Sequence, residues 1–397
     1  MTESPVSFRD LVAPDVFERM VAVRRDIHRH PEIGFEEERT AGRVSARLDE
    51  MGIEWRRAAG TGVIADLPGP EGVPRVALRA DLDALPIRER TGLEFASEVD
   101  GLMHACAHDG HTAMVLGAAE ILAGESLPAP VRLLFQPAEE VGRGAERMIG
   151  DGALEDVGVV FGGHLDPHFE TGTLAVTRGA VNASVDTFRI RISGREGHAA
   201  RPHEGLDAVV VGSMLVMALQ TIVAREVSPA EPSVVTVGRF GAGRAANVIA
   251  GLAELEGTIR AHDEEIREHL IRSVKRIAES TAAVHGATLE MEFTEGGPVL
   301  VNEGWPWERA REAALSVVGE SRVTWMKTPN MGGEDFSYFL REVPGCYIRF
   351  GSRGGDRTSF PAHSSQFDFD ETALAIGAAW FAETARAAGR TLAGSES

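Results

Sequence analysis

The sequence has few cysteines: Cys106 and Cys346 are the only two among 397 residues. Two cysteines are too few for the disulfide framework that secreted proteins use for stability. Residues 1–5, with the sequence Met-Thr-Glu-Ser-Pro, also lack the basic and apolar segments of a secretory signal. The sequence therefore predicts a cytoplasmic protein.

Positive charge is also scarce, because 60 acidic side chains outnumber 40 lysines and arginines and the net charge is -20. An excess of negative charge opposes binding to nucleic acid or to an anionic membrane. A membrane-spanning helix needs about 20 consecutive apolar residues. The most apolar stretch, residues 208–224, is interrupted by Gly212, Ser213 and Gln220. We therefore expect no nucleic-acid or membrane partner, and we predict a buried or interfacial helix for this stretch.

Several catalytic and nucleotide-binding motifs are missing. The sequence has no Gly-x-Ser-x-Gly and no Walker loop, which argues against a serine hydrolase and an NTPase. Residues 60–65 and 241–246 satisfy the spacing of a dinucleotide-binding loop. The first runs into Asp-Leu-Pro-Gly-Pro, which cannot open a helix, and the second leads to another predicted strand. Neither is predicted to bind a nucleotide.

The segment 103–114 concentrates metal-binding side chains: three histidines, one cysteine and one aspartate. Imidazole and thiolate groups bind zinc, manganese, cobalt and nickel. The Cys-x-His pair of Cys106 and His108 lets two side chains reach one ion from a short loop, so we predict that both are ligands. For His104 and His111, a helix cap or a buried imidazole in the core is an equally good interpretation.

Acidic and histidine side chains follow short apolar runs at 76–78, 131–135 and 159–161. These runs are separated by helical segments, a pattern typical of the buried strands of an α/β layer. Ligands bind beyond the carboxyl ends of such strands. The side chains at these places are Asp81 and Asp83, then Glu139 and Glu140, and then His164.

Each of these residues also has a plain structural explanation. Adjacent glutamates are common on solvated surfaces, and aspartates often cap helices or lie in loops. His164 follows two glycines and His363 lies two residues after Pro361, and histidines near such residues are usually loop residues. Together they outline a hydrolase with two metal ions, in which one glutamate ligates metal and its neighbour moves a proton. Asp81 and Asp83 project to one side, where a carboxylate can orient a metal ligand.

The segment 184–296 differs in pattern from its surroundings. An alternating strand, an apolar helix, two strands, a charged amphipathic helix and a last strand follow one another, which is the order β-α-β-β-α-β. This is the ferredoxin-like unit. We therefore predict a discontinuous α/β domain of residues 1–183 and 297–397, interrupted by a smaller domain of residues 184–296.

These motifs resemble those of the M20 metallopeptidase family. The chain is most similar to the amidohydrolase branch, which includes hippurate hydrolases, N-acyl-amino-acid amidohydrolases and plant auxin-conjugate hydrolases. The resemblance covers nearly the whole chain in order. It implies a zinc-peptidase-like α/β catalytic domain with an inserted ferredoxin-like dimerisation domain. The matching segments are 28–35, 79–86, 103–114, 135–140, 197–203, 247–249, 257–260, 333–336 and His363.

The resemblance also implies roles for individual residues. Glu139 would be the general base, Asp83 the aspartate that supports the ligands, and His198 would reach the neighbouring subunit's active site to stabilise the oxyanion. Asn247 and Arg260 would hold the substrate's carboxylate, for which an arginine fork is well suited. Two divalent ions, Mn, Zn, Co or Ni, and a homodimer or tetramer are implied. The implied metal ligands are Cys106, His108, Glu140, His164 and His363.

The implied function is metal-dependent hydrolysis of the amide bond of small-molecule N-acyl amino acids. A carbamoylase, a dipeptidase or a carboxypeptidase would keep the same metal chemistry, and a non-catalytic metal-binding descendant is a further alternative. Two positions depart from the family pattern. Ala107 replaces the usual glycine between the cysteine and histidine ligands, and Ala250 replaces the proline that usually follows Asn-Val-Ile. His28 and His30 are assigned to fold architecture, and Asp109 to a loop or supporting position.

Overall fold

The computed structural model describes residues 8–394, which form two compact units. One unit contains the chain up to Gly179, Val301–Lys327 and the chain from Asp335, and the other contains Ala180–Leu300 and Thr328–Glu334. The chain therefore leaves the first unit, builds the second and returns. The segment Thr328–Glu334 groups with the second unit, although the sequence pattern placed residues 297–397 together.

Both units contain strands and helices. In chain order the strands are β1 (Glu54–Ala58), β2 (Gly62–Leu67), β3 (Arg75–Asp81), β4 (Val131–Gln136), β5 (Val157–Glu170), β6 (Leu174–Ala175), β7 (Gly179–Asn182), β8 (Ser184–Ser193), β9 (Gly197–His198), β10 (Ser233–Ala242), β11 (Val248–Ile249), β12 (Leu252–Ala261), β13 (Thr288–Thr294), β14 (Leu300–Asn302), β15 (Val323–Thr324) and β16 (Gly345–Arg353). The helices are α1 (Pro14–Arg29), α2 (Glu38–Glu50), α3 (His108–Leu122), α4 (Gly144–Gly150), α5 (Ala208–Thr221), α6 (Glu264–His285), α7 (Gly304–Val318), α8 (Phe336–Glu342) and α9 (Thr372–Leu392).

The first unit is built on an eight-stranded sheet with the order β1-β2-β4-β3-β5-β16-β6-β15. Its centre is parallel, because β3 pairs in parallel with β4 and β5, and β16 with β5. Every residue of β4 is buried, and so is every residue of β3 after Arg75. Such strands are covered on both faces, which explains why they read as continuous apolar runs in the sequence.

The register of the central strands brings their carboxyl ends to one edge. Asp81 lies beside Gln136 at the ends of β3 and β4. Leu78 of β3 lies beside Phe161 of β5, three positions before Asp81 and His164 respectively. The acidic motifs after β3 and β4 therefore lie at the same edge of the sheet, and His164, which is still within β5, lies at the same level, as expected for a ligand site in an α/β layer.

The second unit has a four-stranded antiparallel sheet with the order β10-β12-β8-β13. With α5 after β8 and α6 after β12, the element order is the βαββαβ of the ferredoxin-like unit. Phe188, Ile190 and Ile192 alternate along β8 with exposed residues and pack into the core of the unit. Period-two alternation in the sequence thus correctly predicted a sheet with one covered face.

Helix α5 is apolar on both its buried and its exposed side. Val211, Leu215 and Leu219 are buried in the core of the unit, whereas Met214 and Met217 are 48% and 70% exposed. By length and composition, Ala208–Glu226 meets the requirements of a membrane span, with a third of its most apolar window buried. A single helix of this kind is weak evidence for a span, because core helices of soluble proteins meet the same requirements.

Candidate metal centre

The segment before α3 places two of the predicted ligands side by side. Helix α3 begins at His108, and Ala107 before it has the left-handed φ of 65°. Glycine adopts this conformation without steric cost, whereas a Cβ makes it unfavourable. The glycine expected at this position therefore has a conformational reason, and Ala107 keeps the same backbone shape with its methyl group fully buried.

Cys106, His108 and His164 form the first group of donors. The Cys106 Sγ atom is 3.2 Å from His164 Nε2. One donor atom from each of the three residues lies within 4.8 Å of the other two, close enough to hold one ion. Two imidazoles and a thiolate are a donor set that zinc and other first-row metals bind. His164 reaches this group from β5, 58 residues away in the sequence.

Glu140 and His363 join Cys106 in a second group with the same spacing. Glu140 Oε1 is 3.3 Å from His363 Nε2 and 4.0 Å from His108 Nε2. His363 is held by its backbone, because its N–H donates to the carbonyl of Ala105 over 2.7 Å. The two groups share Cys106, which is an arrangement suited to two neighbouring ions.

The carboxylate of Asp83 organises three parts of this site. It accepts hydrogen bonds from the backbone N–H groups of Glu139 and Glu140, at 3.1 and 2.9 Å. The Nδ1 atom of His108 lies 2.8 Å from the Asp83 carbonyl and 3.2 Å from its carboxylate. Because both partners are acceptors, Nδ1 carries a proton, and Nε2 is the atom left to face the other donors of the site. A carboxylate in this position can orient a metal ligand, and the role of Asp83 stays a prediction.

The unpartnered atom of His108 tests whether these residues fit a metal ion. His108 Nε2 is buried and has no hydrogen-bond partner within the described residues 8–394. A buried polar nitrogen is costly unless it has a partner. In His164, Nδ1 is likewise bonded to the carbonyl of Leu165 over 2.7 Å, which leaves Nε2 facing Cys106. The donor set therefore fits a divalent ion.

Burial shapes the protonation of the first group. Burial raises the pKa of the Cys106 thiol well above its usual value, and the negative charge of Glu140 raises it further. Burial lowers the pKa of His164, and His111 and Arg349 lower it more. The ligand-free site thus holds a neutral thiol beside a neutral imidazole, and metal binding to the sulfur releases a proton.

His111 has a definite role that the sequence did not reveal. Its Nδ1 atom is 2.6 Å from the carboxylate of Asp81, and its Nε2 atom accepts the N–H of Leu165 over 2.9 Å. Arg79 pairs with the same aspartate and with Asp335. His111 thus fixes the backbone next to His164. Asp81 and Asp83, which the sequence placed on one side, bond different histidines, His111 and His108.

His104 and Asp109 take structural positions, as two of the interpretations of the sequence allowed. His104 is buried, and burial lowers its pKa to about 3, so the imidazole is neutral. Asp109 pairs with Arg24 and with His28 Nδ1, at 3.0 and 2.9 Å. Arg24 is not among the residues predicted from the sequence, although its position carries a signal: it lies in the apolar stripe of α1, four residues after Met20.

The remaining predicted residues lie in the second unit. His198 and Asn247 are both exposed and close together, because β9 and β11 pair with Val248 opposite His198, and the Ala199 N–H donates to the Asn247 carbonyl. Arg260, near the end of β12, donates from Nη1 to the carbonyl of Met331 over 2.7 Å. The structure thus brings His198 and Asn247 together, and the roles of all three stay predictions.

A comparison with protein families identifies the chain. The model of peptidase family M20/M25/M40 matches residues 77–387. The chain belongs to this family. It is therefore a metal-dependent amide hydrolase, and the alternative of a non-catalytic descendant is set aside. The resemblance drawn from the motifs, the α/β fold class and the hydrolytic activity are confirmed.

Relatives of this M20 enzyme are similar over almost their full length. An N-acetyl-L-cysteine deacetylase of Bacillus subtilis is 40% identical over 370 residues, which is 91% of this chain and 86% of the relative. An IAA-amino acid hydrolase, ILR1-like 2, of Arabidopsis thaliana is 38% identical over an alignment that covers 94% of this chain and 86% of the relative. A crystal structure is available for the Bacillus subtilis YXEP protein, a dinuclear metal binding peptidase from the M20 family. Its sequence is 36% identical to this chain, and the two structures superpose with a TM-score of 0.82 over 94% of this chain and 98% of that one.

Proposed function

We propose that this M20 enzyme hydrolyses N-acyl amino acids to a carboxylate and a free amino acid at two divalent ions. The relatives that carry this proposal are the deacetylase of an N-acetyl amino acid and the hydrolase of IAA-amino acid conjugates. The observation that supports it in the chain itself is the pair of donor groups that share Cys106. The proposed ligands are Cys106, His108, Glu140, His164 and His363.

Glu139 is the proposed general base. Its Oε2 atom is 3.8 Å from His108 Nε2, so it lies beside the ligands, and Asp83 holds its backbone N–H. Bound ions polarise an amide carbonyl and lower the pKa of water. Glu139 accepts a proton from that water and delivers it to the leaving nitrogen. His198 stabilises the oxyanion, and Asn247 and Arg260 hold the substrate's carboxylate.

Metal removal tests the proposal. Dialysis against a chelator should abolish hydrolysis of N-acetyl and N-benzoyl amino acids, and re-addition of Mn, Co, Ni or Zn should restore it with about two ions per chain. Liberated amino acid and metal content are measured on the same samples. Carbamoyl amino acids and dipeptides serve as competing substrates. If they are hydrolysed faster than every acyl amino acid, the substrate proposal is wrong, and activity that survives full metal removal contradicts the metal site.

We also propose a homodimer formed through the second unit. The exposed side of α5 carries Val210, Met214 and Met217. They form an apolar surface whose exposure to water is unfavourable. A second copy of this chain is the proposed occupant, since the resemblance implies a dimer and His198 would then serve the neighbouring active site. The cytoplasmic location stays a prediction.

Met217→Glu should weaken the dimer roughly tenfold or more, because it places a charge in an apolar contact. Sedimentation velocity over a range of concentrations measures the association. Val284→Glu is the matched control, because Val284 is 80% exposed on α6, and it should leave the dimer intact. A parent protein that stays monomeric, or a Met217→Glu protein that associates as the parent does, contradicts the proposed interface.

A further inference from the structure

A buried carboxylate outside the predicted site contacts the turn that carries Glu139 and Glu140. Glu37 is fully buried and lies directly before α2. Its Oε1 atom accepts the backbone N–H of Ala138 over 2.8 Å, and its Oε2 atom accepts the hydroxyl of Thr61. Glu37 is therefore bonded to a residue 101 positions away in the sequence, immediately before the proposed general base.

The turn that Glu37 holds has an unfavourable conformation. Ala138 has a φ of 54°, in the left-handed region that side chains with a Cβ rarely adopt. It is also fully buried. A residue in such a conformation persists only when its surroundings hold it there. The hydrogen bond to Glu37 holds the N–H of this residue, while Asp83 holds the next two N–H groups of the turn.

The segment around Glu37 packs on both loops that form the site. The Glu32 carbonyl accepts the N–H of Ala84, the residue after Asp83, over 2.8 Å. A Cβ on Gly34 would lie 3.0 Å from the Cβ of Ala138, so the backbone there is in direct contact with the turn. This segment follows directly on His28 and His30, the two histidines assigned to fold architecture, and includes the rest of the motif of residues 28–35. Through its contacts with Ala84 and Ala138, this segment also supports the two loops that form the site.

We propose that Glu37 is a positioning residue that fixes the backbone of the Glu139 turn. Glu37 acts on the reaction only through this turn. The effect on catalysis rests on the proposed role of Glu139, whereas the effect on the turn does not. Without the carboxylate, the Ala138 N–H loses its acceptor and the turn can relax from the left-handed conformation, which moves both Glu139 and Glu140. Small displacements of a catalytic group cost large factors in rate.

The experiment compares Glu37→Met, Glu37→Gln and the parent enzyme. Methionine fills the buried space but accepts no hydrogen bond, so kcat should fall roughly 10- to 100-fold with KM changed less than about twofold. In metal-free protein without substrate, hydrogen exchange of the Ala138 amide should be about tenfold faster or more. Glutamine offers an uncharged oxygen to the same N–H and should recover most of kcat, with exchange only several-fold faster than in the parent.

Glu32→Met is the matched control, because the Glu32 carboxylate caps α2 through the N–H groups of Arg39 and Thr40 and does not contact the turn. It should lower the melting temperature but leave kcat and Ala138 exchange unchanged. The proposal is overturned if Ala138 exchange in Glu37→Met equals that of the parent, or if Glu32→Met lowers kcat as much. If Glu37→Met does not fold, unchanged exchange in Glu37→Gln overturns it. Because exchange needs neither metal nor substrate, this result is independent of the proposed function.

Discussion

Glu139→Gln should lower kcat by roughly 10² to 10⁴, the usual contribution of a general acid–base group, while the enzyme still binds its ions. Glutamine has the same size and keeps the backbone N–H that donates to Asp83, so the turn retains its shape. Its amide cannot accept a proton from water and return it to the leaving nitrogen. The loss should therefore appear in kcat and not in metal content. Both are measured on one preparation, with N-acetyl amino acids as substrates.

Glu140→Gln provides the contrast, since the two carboxylates are adjacent but have different neighbours. Glu140 is 3.3 Å from His363, within the second donor group. Its loss should lower the metal content or the metal affinity, and added metal should recover part of the activity. If Glu139→Gln instead loses metal, or keeps the parent's kcat with both ions bound, then Glu139 is not the base.

The second large effect concerns stability. Arg24→Met should destabilise the protein by about 3–5 kcal/mol, as expected when one partner of a buried charge cluster is removed. Arg24 is 1% exposed, and it pairs with Asp109, Asp368 and Glu371. Its guanidinium lies 4.6 Å from the ring of Phe95 and 4.2 Å from that of Phe369. Without it, His28 is the one ionic partner that the fully buried Asp109 keeps within residues 8–394.

Arg25→Met is the control for this measurement. Arg25 is the neighbour in sequence and also pairs with Glu371, but 42% of its side chain is exposed. A pair that contacts water is worth about 0–1 kcal/mol. Urea denaturation of both variants, with equal m-values, gives the difference in the free energy of unfolding. If Arg24→Met lowers the free energy of unfolding no more than Arg25→Met does, then burial of the cluster does not set its contribution to stability.

Much of this enzyme could be predicted from local patterns. The β8 strand alternates apolar and charged residues, and the structure has a strand with one covered face there. Apolar runs without alternation predicted β3, β4 and the first half of β5, which are covered on both faces. These predictions succeed because side-chain period and burial are properties of a few neighbouring residues.

The partners of individual side chains could not be predicted in this way. Asp81 and Asp83 lie only two residues apart at the end of β3, yet one pairs with Arg79 and His111 and the other with His108 and the Glu139 turn. Arg24 and Glu37 are charged residues in segments that read as ordinary amphipathic helices. Asp109 lies 85 positions from Arg24, and Ala138 lies 101 positions from Glu37. A pattern within a few neighbouring residues cannot predict a partner so far away in the sequence.

The sequence by itself determined which donors are available, the order of strands and helices, and the family. Only the tertiary structure decided which donors meet. The register of the parallel strands places His164 at the level of Asp81, and the hydrogen bonds of Asp83 and Leu165 turn the Nε2 atoms of His108 and His164 toward Cys106. The physical reason is that coordination needs atoms within a few ångströms, and the packing of distant segments sets those distances.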